Sequence, residues 1–234
     1  YFAGKTSLAS VDFLNSLKAA ANNDGTQTYN LQIKAIQTDP WSPAYRIGYS
    51  QTNFALANSL AAKKDLTESD RNTVSQLVQQ SLREARAAVS LDPSNIGSWE
   101  NLANLYRNLI NFAQDADQWT VATYQEAIKL DPLNPQLRLD LGGVYFGQKN
   151  YNQAALFFNQ ATQLKPDLAN AHYNLASALR EANALVDAKR EYEITQSLIK
   201  VDSADWQKVT TELEEVKKRL PSPTPAASEA SPET

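Results

Sequence analysis

The sequence predicts an all-α fold of antiparallel helix pairs stacked as a solenoid, and three observations carry that prediction. Apolar residues recur at helical spacing through most of the 234 residues. An Asp-Pro or Lys-Pro step closes one segment after another, at Asp39-Pro40, Asp92-Pro93, Asp131-Pro132 and Lys165-Pro166, and five positions before each proline stands an alanine: Ala35, Ala88, Ala127 and Ala161. Glycine is scarce, at seven residues, so few positions invite a break in a helix. Proline has no N–H to give the helical ladder, so each closing step marks a helix end. One helix pair cannot bury its apolar face alone, and repetition in phase implies that the next pair covers it.

Taken in order, residues 1–40 read as a degenerate leading helical unit. An Asn23-Asp24-Gly25 turn separates its two helices, and Tyr29, Ile33 and Ile36 lie on the second. Residues 41–95 read as an enlarged unit, with Tyr45, Tyr49, Leu56 and Leu60 on a long first helix. Thr67 and Asp70, three apart, predict the capped start of a long second helix. Residues 96–134 hold Trp99, Leu102-Ala103 and Tyr106 on one helix and Tyr124, Ala127 and Leu130 on the next, with an insertion at 110–116 between them. In residues 135–168, Leu141 and Tyr145 share a helix face, and Ala154, Phe158 and Ala161 form an i, i+4, i+7 stripe on the partner. Gly142 and Ala154 are small enough to let the two helices approach closely. Residues 169–202 keep Leu175-Ala176, Leu179, Ala188 and Tyr192, but Lys200 stands where a proline would close the unit. Residues 203–220 predict a capping helix. Ser203 is placed to cap it, Trp206, Val209, Leu213, Val216 and Leu220 form its apolar face, and Lys217, Lys218 and Arg219 suit the negative end of the helix dipole. Residues 221–234 are a Pro/Ser/Thr-rich tail, expected to be flexible and partly polyproline-like, with Ser and Thr residues open to glycosylation.

The stretch 135–168 resembles one tetratricopeptide repeat. Leu141-Gly142, Tyr145, Ala154, Phe158, Ala161 and Pro166 fall on the pattern W-x2-L-G-x2-Y…A-x3-F…P. The resemblance extends over roughly 27–202 and is specific over 96–198. Arg138 and His172 depart from it, standing where the family places an aromatic. The resemblance implies a right-handed superhelical solenoid whose first helices line a concave groove. Carried over by repeat phase, the groove and partner-binding positions are Glu100, Asn104, Arg107 and Asn108 in one unit. The next gives Gln136, Leu139, Gly143, Phe146 and Gly147, and the last gives Asn170, Tyr173, Ser177, Arg180 and Glu181. Amides and arginines in such a groove would bond a peptide backbone or a carboxylate, with Phe146 and Tyr173 as apolar anchors. The repeated Lys/Asn/Arg arrangement of a chaperone-type carboxylate clamp does not occur. The order of units also resembles the tetratricopeptide regions that follow membrane spans in O-antigen-ligase-like bacterial envelope proteins.

Composition narrows the function further. A net charge of −4 argues against nucleic acid as the main partner. With no cysteine there is neither a disulfide framework nor a thiolate metal site. The single histidine, His172, excludes a histidine pair for a metal, and its signature position predicts a packing role. Gly142-Gly143 and Gly147 lack the flanking strand and lysine of a phosphate loop. No cofactor, metal site or catalytic constellation is expected. No apolar run is long enough to span a bilayer, although a chain opening at Tyr1 is consistent with a signal or anchor before that residue. The absence of cysteine and methionine leans towards an extracytoplasmic setting. Two functional expectations follow. The first is a non-enzymatic protein that associates with copies of itself end to end, as a homopolymer or filament, because a solenoid has two open ends. The alternative is a monomeric scaffold that recruits an extended peptide or an envelope partner into its concave groove.

Overall fold

A proline carbonyl at the end of a helix needs a donor that the helix cannot supply, and the way this chain provides one organises its architecture. In the computed structural model, which describes residues 2–221 and the side chains from residue 7 onward, the described residues form eleven α-helices and no strand. These are α1 (Phe2–Ala21), α2 (Gly25–Thr38), α3 (Pro43–Ala61), α4 (Glu68–Leu91), α5 (Ile96–Asn108) and α6 (Ala116–Leu130). They are followed by α7 (Pro135–Gly147), α8 (Tyr151–Leu164), α9 (Ala169–Glu181), α10 (Leu185–Leu198) and α11 (Ala204–Arg219). The tail expected at 221–234 lies, from residue 222, outside the described residues.

Each closing step works as the sequence implies. Asp39, Asp92, Asp131 and Lys165 donate their backbone N–H groups to the carbonyls of Ala35, Ala88, Ala127 and Ala161, and the prolines that follow have none to give. The four alanines are fully buried. The recurring alanine is thus both the last acceptor of its helix and a point of close helix contact.

The position six residues after the proline completes the turn. Trp99 Nε1 donates to the Pro93 carbonyl at 2.8 Å, and Arg46 Nη2 donates to that of Pro40 at 3.1 Å. His172 Nε2 lies 3.0 Å from the Pro166 carbonyl. Arg138 donates instead to the Asn134 carbonyl at 3.2 Å. The departures from the family's aromatic therefore have a physical account: what this position supplies is a side-chain N–H. Arg46 and His172 also reach a buried glutamate on the second helix of their pair, Glu84 at 2.6 Å and Glu191 at 2.7 Å. In both cases an arginine precedes the glutamate and contacts it, Arg83 at 3.1 Å and Arg190 at 3.3 Å.

The turns within pairs recur as well. Asn23, Lys149 and Asn183 have φ of 57°, 59° and 62°. The N–H after each bonds the carbonyl five residues back, at Ala19, Tyr145 and Leu179. This is a left-handed helix end of the Schellman type, which asparagine tolerates better than lysine. Thr67 and Asp70 form the reciprocal capping box that the sequence predicts, and Ser203 caps α11 through the Trp206 N–H.

The helices group into two compact units, the first ending at Pro132 and the second beginning at Leu133. In the first, α3 and α4 are long, at 19 and 24 residues, and polar pairs stand beside the apolar contact of Phe54 with Leu82, Ala85 and Val89. Ser81 Oγ donates to the Ser50 carbonyl at 2.8 Å, and Asn101 of α5 donates to Ser50 Oγ at 3.1 Å. In the second, Leu139, Ala154, Phe158, Ala161, Ala171, Leu175 and Ala178 form one apolar cluster. Val209, Leu213 and Val216 of α11 close a second against Ala176, Ala188 and Tyr192. Burying each of these three aliphatic side chains is worth roughly 1.5–3 kcal/mol, which is what holds the capping helix.

Three outcomes follow. A Cβ at Gly142 would meet Phe158 at 2.6 Å, whereas one at Gly143 meets nothing within 4 Å. Gly142→Ala should therefore lower the urea midpoint, and Gly143→Ala should raise stability by about 0.5–1 kcal/mol through helix propensity. His172→Phe restores the family's aromatic but removes the donor, and should cost about 2–3 kcal/mol in urea unfolding because Glu191 and the Pro166 carbonyl both lose a partner. The Thr67 hydrogen bonds, with Lys63 nearby, hold the Asp70 carboxyl below its ordinary value. A depressed folded pKa contributes stability above the unfolded pKa and loses it as pH falls through the folded value. Protection of the amides at 68–71, relative to their intrinsic exchange rates, should accordingly fall on acidification below the usual aspartate range, and Thr67→Ala should abolish that step.

Candidate functional site

The first helix of a pair presents one row of side chains to its partner and another to the neighbouring first helix. In the first unit, Glu100, Asn104 and Asn108 fall at i, i+4 and i+8 along α5 and line a cleft of about 480 Å³ against α3. Gln51, Phe54 and Asn58 of α3 form the opposite wall. Two of the amides are held in place: Tyr124 Oη donates to Asn104 Oδ1 at 3.0 Å, and Asn108 Nδ2 donates to the Asn104 carbonyl at 2.7 Å. Arg107 is exposed on the same helix but is not part of the cleft wall. The α3 wall escaped the sequence reading because the enlarged unit has no regular repeat phase to project from. The amides and Phe54 at helical spacing were the available signal.

In the second unit, Gly143 and Phe146 of α7 face Tyr173, Asn174, Ser177 and Arg180 of α9 across a cleft of about 340 Å³. Tyr173 also borders a second cleft of about 400 Å³, with Asn170, Thr195, Asp205 and Lys208. Leu139 corrects the expectation: it is 5% exposed and packs among Ala154, Phe158 and Leu175, so it serves the core and offers no surface to a partner. Its contacts are to α8 and α9, with Ala154, Phe158 and Ala161 on one side and Ala171, Leu175 and Ala178 on the other. Gln136 is exposed and donates to Asp140 Oδ1 on its own helix at 3.3 Å, away from both clefts. Gly147 is exposed and borders neither cleft, and Glu181 accepts from Arg180 Nε at 3.2 Å.

A residue absent from the sequence-derived set sits among those in it. The Glu212 carboxylate, from α11, accepts from Tyr173 Oη at 2.9 Å, Tyr192 Oη at 2.7 Å and Arg180 Nη1 at 3.2 Å. Lys208 Nζ lies 4.8 Å from the centre of the Tyr173 ring. Burial pushes the Tyr192 phenol well above its ordinary range, so it remains a donor at any physiological pH. Glu212 lies three residues from Val209 and four from Val216, on the inward stripe of a helix read from the sequence only as a cap, and no local pattern marks a contact that spans three helices. Among the described residues no cluster of His, Cys, Asp or Glu could hold a metal ion, and no helix is long and apolar enough to cross a membrane.

Residues 135–168 match the tetratricopeptide repeat family. The human protein O-mannosyl-transferase TMTC3 is 29% identical over 76 residues, covering 32% of this chain. The chain spans only about 8% of the length of that relative. Among solved structures, the MamA protein matches with a TM-score of 0.64 at 15% identity, over 83% of this chain and 92% of its own. YrrB, described as a TPR protein with an unusual peptide-binding site, matches with a TM-score of 0.59 at 12% identity, over 87% and 90%. Likeness at these identities speaks for the fold. Residues 135–168 are thus a tetratricopeptide repeat, and the helix pairs around them share the fold of MamA.

Proposed function

We propose that the chain is a non-enzymatic scaffold that holds an extended peptide segment of a partner protein against the first helices of its repeats. The observation that carries this reading is the coincidence of sequence phase and cavity. Glu100, Asn104 and Asn108 line one cleft, and Phe146, Tyr173, Ser177 and Arg180 line another. An extended peptide exposes unpaired backbone N–H and C=O groups, which side-chain amides satisfy in either sense, while aromatic walls take its apolar side chains. The peptide-binding site attributed to YrrB, a protein of like fold, supports the same reading. An extracytoplasmic setting is part of the proposal and rests on the absence of cysteine and methionine.

Self-association is the second reading, and one feature favours it. Leu8, Val11, Leu14 and Leu17 are each about half exposed or more along α1, at the three-residue spacing of an i±3 ridge that packs into the groove of another helix. The outer face of α11 instead carries Glu214, Glu215, Lys217 and Lys218. An apolar ridge does not complement a charged face. This reading therefore favours a closed contact between two α1 helices over an open-ended, head-to-tail filament.

Selection of a displayed peptide library on the full chain should yield ligands whose affinity falls roughly tenfold, or about 1.4 kcal/mol, in Asn104→Ala/Asn108→Ala and in Phe146→Ala. Retained affinity in both variants would remove the clefts from the function. Light scattering separates the second reading: a dimer made monomeric by Val11→Glu/Leu14→Glu supports it, and a wild-type monomer at high concentration ends it.

A further inference from the structure

Glu212 is held more elaborately than its helix requires. α11 docks through Val209, Leu213 and Val216, all buried, and through the bond from Gln196 Nε2 to Thr210 Oγ1 at 2.7 Å. Yet a carboxylate on the same helix receives three hydrogen bonds from α9 and α10, two from phenols and one from a guanidinium. That donor set recognises a carboxylate whatever chain bears it, because it offers positive charge and two O–H groups to the lone pairs of the two oxygens. Tyr173 and Arg180 also line the open cleft that runs to Gly143 and Phe146. The donors therefore sit where a side chain lying in that cleft would arrive.

Resting on the peptide-binding reading of this cleft, we infer that Tyr173, Arg180 and Tyr192 form a carboxylate subsite, that Glu212 occupies it in cis as a built-in competitor, and that the partner segment presents an Asp or Glu that takes its place. Charge explains why the competitor matters. With Glu212 seated, Glu181, Asp205 and Glu212 outnumber Arg180 and Lys208, and an acidic ligand meets a net negative site. When Glu212 turns away to solvent, the guanidinium and both phenols are released together. The exchange replaces one carboxylate by another, and Val209, Leu213 and Val216 keep α11 seated while it occurs. The cost of turning Glu212 out makes binding selective: a neutral side chain cannot repay the three lost hydrogen bonds, and an acidic one restores them.

The test uses the full chain and two displayed seven-residue libraries, one with a fixed central Glu and one with a fixed central Gln. Glu212→Ala should raise recovery from the Glu library about tenfold over wild type and leave the Gln library unchanged. Adding Arg180→Met should abolish the gain. Thermal unfolding by circular dichroism checks that each variant folds. Glu212→Gln keeps the side-chain volume and decides the matter if the alanine variant melts early: it too should favour Glu peptides over wild type. Equal recovery of the two libraries by the variants, with wild type still selecting peptides, overturns the internal competitor and leaves the peptide groove standing. No recovery by any of the proteins overturns both.

Discussion

A proline that ends a helix leaves a carbonyl facing away from the ladder, and everything downstream depends on what bonds to it. In this chain a side-chain N–H from the next helix does so, from Trp99, Arg46 or His172. The bond spans six residues and joins the end of one helix pair to the start of the next. Three of the four closing steps use this kind of donor although its identity changes, Arg138 turning instead to the Asn134 carbonyl. Once that turn is set, the two helices that follow have a fixed starting direction. The buried alanines, and Gly142 beneath Phe158, then determine how closely they pack.

The same logic separates the two units in character. The second is held by apolar clusters around a buried His172–Glu191 pair, and its residues follow the repeat pattern closely. The first replaces part of that apolar surface with paired polar groups: Ser50 with Ser81 and Asn101, and Arg46 with Glu84. Such contacts are directional and tolerate poor partners less well than apolar packing does. The family resemblance weakens before residue 93 because α3 and α4 are longer than the repeat's helices and break its phase, while the helices there remain regular.

The clefts are by-products of this packing. When one row of a first helix is committed to its partner, the row beside it faces the neighbouring first helix, and the gap left there is lined by whatever the sequence places four residues apart. In α5 those are Glu100, Asn104 and Asn108. In α9 they are Tyr173, Ser177 and Arg180, close to a 3–4 spacing. The glycine at 143 keeps its cleft open, since a side chain there would fill space that no other residue occupies.

Helix starts and stops, the capping box at Thr67 and Asp70, the closing prolines and the apolar face of α11 were legible in the sequence. Each depends on residues within one or two turns of each other, and short-range hydrogen bonding and helical periodicity suffice to read them. The repeat phase also singled out residues that border clefts, among them Glu100, Asn104, Phe146 and Tyr173. It could not show that Leu139 turns inward, because its burial is decided by Phe158 of α8 and Leu175 of α9, which pack against it. Nor could it show that α3 supplies the other wall of the first cleft, or that Glu212 reaches Tyr173 across 39 residues of chain. Those contacts join helices that are distant in sequence. Periodicity tells a helix which face to bury, but only the packing of one helix on another decides which residues that face meets.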